Sequence, residues 1–125
     1  MRLLALLGLA TISLSVAAGP DLEYAEAKAL ADSDENSLPE EQSSKLVAAQ
    51  GELMNSGIAA CATPNPDFSA FVVAMELDAG GKVIRTWLQG DSPLAICFRK
   101  HVAAGALTPP PRAPFYSFIE LSFSK

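Results

Sequence analysis

The sequence predicts an α+β fold: a small three-stranded antiparallel sheet built from a β-hairpin, a helix and a last strand, with two N-terminal helices packed beside it. Three observations predict this fold. Apolar residues recur at helical spacing before residue 57. Two segments that alternate with a period of two, residues 68–78 and 82–89, flank a glycine turn. A helical segment and a proline-rich link then lead into a third alternating segment, residues 115–123.

The N-terminus, residues 1–18, is typical of a secretory signal peptide. Arg2 precedes an apolar run of about twelve residues, shorter than the roughly twenty that a membrane-spanning helix needs, and small residues follow it. Val16 and Ala18 provide the small side chains that the peptidase requires, so we expect cleavage after Ala18. The mature chain of about 107 residues is then one domain in size. We expect it to be periplasmic or secreted, with no stable membrane anchor.

Residues 19–57 form an acidic segment that is predicted to hold two helices. The first covers residues 21–31, which are rich in helix-favouring Ala, Glu and Leu, and a polar break at residues 32–37 follows it. The second starts near Pro39, which suits a first helical position. It should stop at Gly57, which can adopt the left-handed conformation. Its predicted apolar stripe consists of Leu46, Ala49, Leu53 and Met54.

Residues 58–125 form the predicted sheet domain. The hairpin turn at residues 78–81 ends in two glycines, and the helix at residues 94–104 begins after Ser92 and Pro93, which suit the cap and the first helical position. One face of the second strand is predicted to carry Val83, Arg85 and Trp87.

The two cysteines, Cys61 and Cys97, are predicted to form a disulfide, because an exported protein folds in an oxidising compartment. Closing a loop of roughly 36 residues would stabilise the fold by about 3–4 kcal/mol through the entropy of the unfolded chain. A reactive thiol pair is not indicated, since the sequence has no Cys-x-x-Cys motif.

The formal net charge is −5 and it is unevenly distributed. Residues 19–56 carry nine acids against Lys28 and Lys45, whereas residues 57–125 carry five acids against six bases. An acidic protein repels nucleic acid at long range, so no nucleic-acid partner is expected.

The sequence predicts no catalytic, metal or cofactor site. The single histidine, His101, is predicted to lie near a helix end after two cationic residues, and no Gly-x-Ser-x-Gly motif supplies a nucleophile. Two cysteines and one histidine are too few ligands for a typical zinc site. Asp78 and Asp91 have structural reasons for their positions in a turn and before a helix.

Two features could bind a protein partner. Residues 109–116 form a stiff proline-rich segment that leads into aromatic residues, which suits recognition at low entropic cost but equally suits a rigid connection to the last strand. Trp and Arg on the second strand are common interface anchors, although Trp87 could instead pack under a helix. The candidate partner-binding residues are Arg85, Trp87, Arg112, Phe115, Tyr116 and Ile119.

Residues 68–123 resemble the C-terminal domain of TonB-like proteins. The turn Asp78-Ala79-Gly80-Gly81-Lys82-Val83 fits that family's Asp-x-x-Gly-x-Val pattern, a helix opens at residues 90–94, and a proline-bearing link at residues 107–111 precedes the last strand. The resemblance implies a sheet domain outside the cytoplasm that could pair an edge strand with a partner. Energy-transducing members keep an N-terminal membrane helix and a long proline-rich arm, from which this chain departs.

The sequence therefore predicts an exported, non-enzymatic protein-interaction module. One alternative is a periplasmic inhibitor or immunity-type protein whose acidic segment, residues 21–41, binds a basic cleft of an exported enzyme. A second alternative is a small hydrolase.

Overall fold

A computed structural model of the chain describes residues 21–124, and the predicted signal peptide lies outside them. The strands of this range form an antiparallel sheet in the order β2-β1-β3. The predicted α+β fold is confirmed, with two helices before the strands. The elements are α1 (Tyr24–Asn36), α2 (Glu40–Ala60), β1 (Phe71–Leu77), β2 (Val83–Gln89), α3 (Pro93–Ala103) and β3 (Phe115–Leu121).

The central strand β1 is buried along its whole length, because helices cover both faces of the sheet. One face belongs to the main core with α2 and α3. The other face lies under α1, whose Ala27 and Ala31 are fully buried and allow a close approach to the sheet. The main core combines Phe71, Val73, Met75 and Leu77 of β1 with Leu46 and Leu53 of α2 and Leu94, Phe98 and Val102 of α3.

Helix α1 is longer than predicted. The expected break at residues 32–37 is wrong for most of its length, since α1 continues through Asn36. An ion pair between Lys28 and Asp32, four residues apart and 3.0 Å between Nζ and Oδ1, supports this part of the helix. The following two acids, Asp34 and Glu35, bind to β3 and hold the last turn in place.

The predicted stop of α2 at Gly57 is also wrong, because the helix continues to Ala60. Gly57 is buried inside the helix, and a Cβ atom there would lie 2.6 Å from the ring of Phe98 on α3. The glycine therefore permits the close contact of two helices and does not end one. Pro39 is the N-cap residue, one position before the helical position that we expected.

A bulge in β2 separates residues that we predicted to share one face. Glu76 pairs with Arg85 and the next residue of β1, Leu77, pairs with Val83, so β2 has one extra residue at this point. Val83 consequently lies in the main core. Arg85 and Trp87 lie on the opposite face, beneath α1.

The start of α3 and the disulfide agree with the sequence prediction. The Ser92 side chain accepts a hydrogen bond of 3.1 Å from the N–H of Ala95, and Pro93 is the first helical residue. Cys61 and Cys97 form a disulfide that joins the end of α2 to α3, with 5.9 Å between their Cα atoms. Among residues 21–124, no helix is long and apolar enough to cross a membrane.

The hairpin turn depends on Gly81. Its φ is +89°, and an added Cβ would lie 2.5 Å from the carbonyl oxygen of Leu107. We expect Gly81→Ala to lower the free energy of unfolding by about 1–3 kcal/mol, because the substitution combines backbone strain with a steric clash.

Gly80→Ala is the matched control, since a Cβ there would meet only Asp78 Oδ1, at 3.6 Å. Urea denaturation of both variants measures the two losses. A loss for Gly80→Ala as large as that for Gly81→Ala would contradict the expectation.

Candidate functional site

The two edges of the sheet differ in how they are covered. At the β3 edge, the N–H of Tyr116 donates to Asp34 Oδ2 over 2.9 Å, and the N–H of Phe118 donates to Glu35 Oε2 over 3.1 Å. Successive residues of an edge strand direct their backbone groups alternately toward the neighbouring strand and away from it. The carboxylates at the end of α1 therefore occupy the outward N–H groups of Tyr116 and Phe118. By the same alternation the N–H of Glu120 also points outward, and no described residue bonds to it.

Gln50 of α2 completes this cover. The two N–H groups of its amide are shared among three acceptors: the carbonyl oxygen of Phe118 at 3.0 Å, the Ser117 hydroxyl at 2.9 Å and Glu35 Oε2 at 2.9 Å. Ser117 is fully buried and its hydroxyl donates to Glu35 Oε2 over 2.6 Å. From Tyr116 to Phe118 the β3 edge is thus closed by side chains of both N-terminal helices, while its end at Glu120 is not covered by them.

Arg112, from the proline-rich link, reinforces the closed edge. Its Nη2 lies 2.9 Å from Asp34 Oδ1 and 3.0 Å from the Ser37 hydroxyl, and its guanidinium lies 5.3 Å from the ring centre of Phe115. This residue therefore joins the link to the end of α1.

The β2 edge is open by comparison. The backbone groups of Glu76 and Ala74 on β1 face those of Arg85 and Trp87 on β2. Because backbone groups alternate in direction along a strand, those of Thr86 and Leu88 point outward. Within the described residues, the carbonyl oxygen of Thr86 accepts one bond, of 3.3 Å, from Arg99 Nη2. No described residue bonds to the N–H groups of Thr86 and Leu88. The open edge is short, because residues 105–107 cover the start of β2: the N–H of Val83 donates to the carbonyl oxygen of Gly105 over 3.1 Å.

A polar cluster lies under α1 on the adjoining face of the sheet. Glu76 is buried, and its Oε1 accepts a 2.8 Å bond from Arg85 Nε and a 3.4 Å bond from the Tyr116 hydroxyl. The hydrogen bond with Glu76 raises the pKa of Arg85. Burial, with a smaller contribution from Glu76, raises the pKa of Tyr116. The hydrogen bonds of Arg85 and Tyr116 to Glu76 compensate for the burial of these polar groups, so the cluster has a structural role.

Trp87 borders the same cluster. Its indole N–H donates to the carbonyl oxygen of Leu22 over 2.8 Å, and its ring lies 4.9 Å from the Arg85 guanidinium and 6.1 Å from the Tyr116 ring. The structure thus brings together three predicted partner-binding residues, Arg85, Trp87 and Tyr116. Each already has a partner within the chain.

The other predicted residues lie apart from that cluster. Phe115 and Ile119 are 1% and 5% exposed and belong to the main core, while Arg112 is exposed at the closed β3 edge. The prediction did not include Asp34, Glu35, Gln50 and Arg99, which decide how the two sheet edges are covered. These residues lie in helices. Nothing in the sequence around them indicates that they contact strands distant in the chain.

The structure also brings Ser56 and His101 together, with 2.7 Å between Oγ and Nε2. The Ser56 hydroxyl also contacts the carbonyl oxygen of Leu53, at 3.1 Å. In residues 21–124, no carboxylate bonds to the His101 ring, so the group that orients the base of a nucleophilic triad is missing. The pair joins α2 to α3. The described residues also contain no cluster of three His, Cys, Asp or Glu side chains that could hold a metal ion.

Comparison of the chain with protein-family models, curated proteins and solved structures finds no match. The resemblance of residues 68–123 to the TonB C-terminal domain therefore stays a prediction based on the turn, the helix start and the proline-bearing link.

Proposed function

We propose that this protein is an exported, non-enzymatic interaction module that pairs the β2 edge with an extended segment of a partner protein. The observation that carries the proposal is the contrast between the two edges. The outward N–H groups of Tyr116 and Phe118 on β3 are occupied by carboxylates. Those of Thr86 and Leu88 on β2 have no acceptor among the described residues. An uncovered edge supplies main-chain hydrogen bonds to an added strand.

The disulfide and the predicted signal peptide support export, since disulfides persist in oxidising compartments. The resemblance to TonB C-terminal domains supports strand pairing as the mode of binding.

The internal contacts of the acidic segment do not favour the inhibitor alternative. Glu26 accepts a bond from the Glu23 N–H, Asp32 pairs with Lys28, and Asp34 and Glu35 cover β3. These acids stabilise the fold of the chain itself, and fewer remain for a basic cleft.

Thr86→Pro tests the proposal, because proline removes an outward N–H and is tolerated at sheet edges. The matched control is Thr86→Val, which keeps that N–H. Both variants lose the 2.9 Å bond between the Thr86 hydroxyl and Arg99. The hydrogen-bonding group that distinguishes them is therefore the backbone N–H of residue 86. Circular dichroism and thermal unfolding establish that both variants are folded.

The disulfide-bonded protein and both variants are immobilised and exposed to exported proteins of the source organism. We expect the original protein and Thr86→Val to retain a partner that Thr86→Pro loses at least about tenfold, which corresponds to about 1.4 kcal/mol. In the complex, the Thr86 and Leu88 amides should be protected from hydrogen exchange. Equal retention by Thr86→Pro, or a complex in which these amides exchange freely, would refute strand pairing at β2.

A further inference from the structure

The charges beside β2 indicate what its partner carries. We propose that the β2 edge binds an extended acidic segment with an Asp or Glu side chain directed toward Arg99. This inference rests on the proposed strand pairing and adds the chemical class of the partner.

Arg99 is an exposed residue of α3 whose guanidinium is held at the open edge. Its Nε donates to the Thr86 hydroxyl over 2.9 Å and its Nη2 donates to the Thr86 carbonyl oxygen over 3.3 Å. A guanidinium has five N–H donors in a planar fork, so further donors stay available. No carboxylate pairs with Arg99 in the described part of the chain. A carboxylate is the group that this fork recognises best.

The surroundings of Arg99 are basic, although the protein as a whole is acidic. Residues 82–101 contain one acid, Asp91, which precedes α3, whereas Arg99 lies about 9 Å along the helix axis from the first helical residue, Pro93. Arg85 is already paired with Glu76. The bases of this region are Lys82, Arg85, Arg99 and Lys100. An acidic segment is therefore steered toward β2 and repelled by the N-terminal helices.

An apolar side chain lies next to this charge. Ile96 is 51% exposed and precedes Arg99 by three residues on α3, so the two share one side of the helix. In an added strand, residues two apart point to the same face. The complementary partner carries an acidic residue and an apolar residue two positions apart.

A second copy of this chain fits the edge less well. Antiparallel pairing of two β2 strands about Thr86 would bring the two Arg99 side chains close together at the symmetry axis. Such like-charge contacts disfavour the pairing. The charge at the edge thus selects an acidic segment over a copy of β2 itself.

The test uses three blocked synthetic peptides as probes. The acidic probe is Thr-Glu-Thr-Val-Thr-Glu-Thr, and its two matched controls have both Glu residues replaced by Gln or by Lys. Dissociation constants come from NMR titration of the disulfide-bonded protein, followed at the Thr86 and Leu88 amides, and at the Leu88 amide alone in Thr86→Pro. We expect the acidic probe to bind about tenfold tighter than the Gln probe, in line with a charge-assisted bidentate contact.

The protein variants assign that preference to one side chain. Arg99→Gln should remove the difference between the acidic and the Gln probes. Lys100→Gln, which removes the neighbouring exposed charge, should keep most of it. Equal effects of the two substitutions would show a general charge attraction and would overturn the role of Arg99.

The outcomes separate this inference from the proposed function. If all three probes bind equally and Thr86→Pro abolishes their binding, strand pairing is supported and the acidic preference is wrong. If the acidic probe binds Thr86→Pro as well as the original protein, the strand-pairing proposal fails. If no probe shifts the Thr86 and Leu88 amides, the acidic inference is overturned, while the retention experiment still decides on strand pairing.

Discussion

Replacement of Glu35 by alanine is expected to lower the free energy of unfolding by about 2–4 kcal/mol. The Glu35 carboxylate accepts bonds from the Ser117 hydroxyl, the Phe118 N–H and the Gln50 amide. Each buried donor that loses its acceptor costs about 1–3 kcal/mol, and water reaching the truncated site offsets part of the sum. Ser117 is fully buried, which makes its hydroxyl the most costly donor to leave unpaired.

Asp32→Ala is the control for this experiment, because Asp32 is an acid of the same helix in an exposed ion pair. Its loss should stay below about 1 kcal/mol. Urea denaturation gives both free energies. A Glu35→Ala variant that is no less stable than Asp32→Ala would mean that the cover of the β3 edge contributes little to the fold.

The same substitution should also open the β3 edge. With Glu35 truncated, the outward N–H of Phe118 becomes available to another strand. Exposed edges promote association between chains. We expect Glu35→Ala, but not Asp32→Ala, to form dimers or larger species at concentrations where the original protein is monodisperse, as measured by light scattering.

Local sequence signals predicted the elements whose cause is local. Alternation and the glycine turn predicted the hairpin, and the cap at Ser92 with Pro93 predicted the start of α3. The two cysteines predicted the disulfide. The residues that determine the hairpin and the start of α3 lie within those elements. Two cysteines allow a single intramolecular pairing.

Elements that depend on distant contacts were predicted incorrectly. Residues 32–36 look like a polar connector, but Asp34 and Glu35 have their partners on β3, more than eighty residues further along the chain. Gly57 looks like a helix stop, but its position is explained by the ring of Phe98 on α3. At Ile84 the pairing of β2 with β1 shifts by one residue and forms a bulge. The alternation of apolar residues in β2 does not reveal this shift.

Removal of the disulfide should have the largest effect on stability. The bridge joins residues 36 apart, for which the loop-entropy model gives a loss of about 3–4 kcal/mol in the double variant Cys61→Ala/Cys97→Ala. A domain of this kind is stable by about 5–15 kcal/mol, so a large share of its stability would disappear. The melting temperature should fall by roughly 15–25 °C.

The bridge should also matter for binding at β2, because Cys97 and Arg99 lie on the same short helix. The disulfide anchors α3 to the end of α2, and Arg99 extends from α3 to the β2 edge. At a temperature where the double variant is still folded, we therefore expect weaker binding of the acidic probe than in the original protein. The original protein kept reduced, without alkylation of the buried Cys61, should approach the double variant in both melting temperature and affinity. Full retention of stability and affinity without the bridge would show that packing of Phe98 and Val102 in the main core suffices to hold α3 against the sheet.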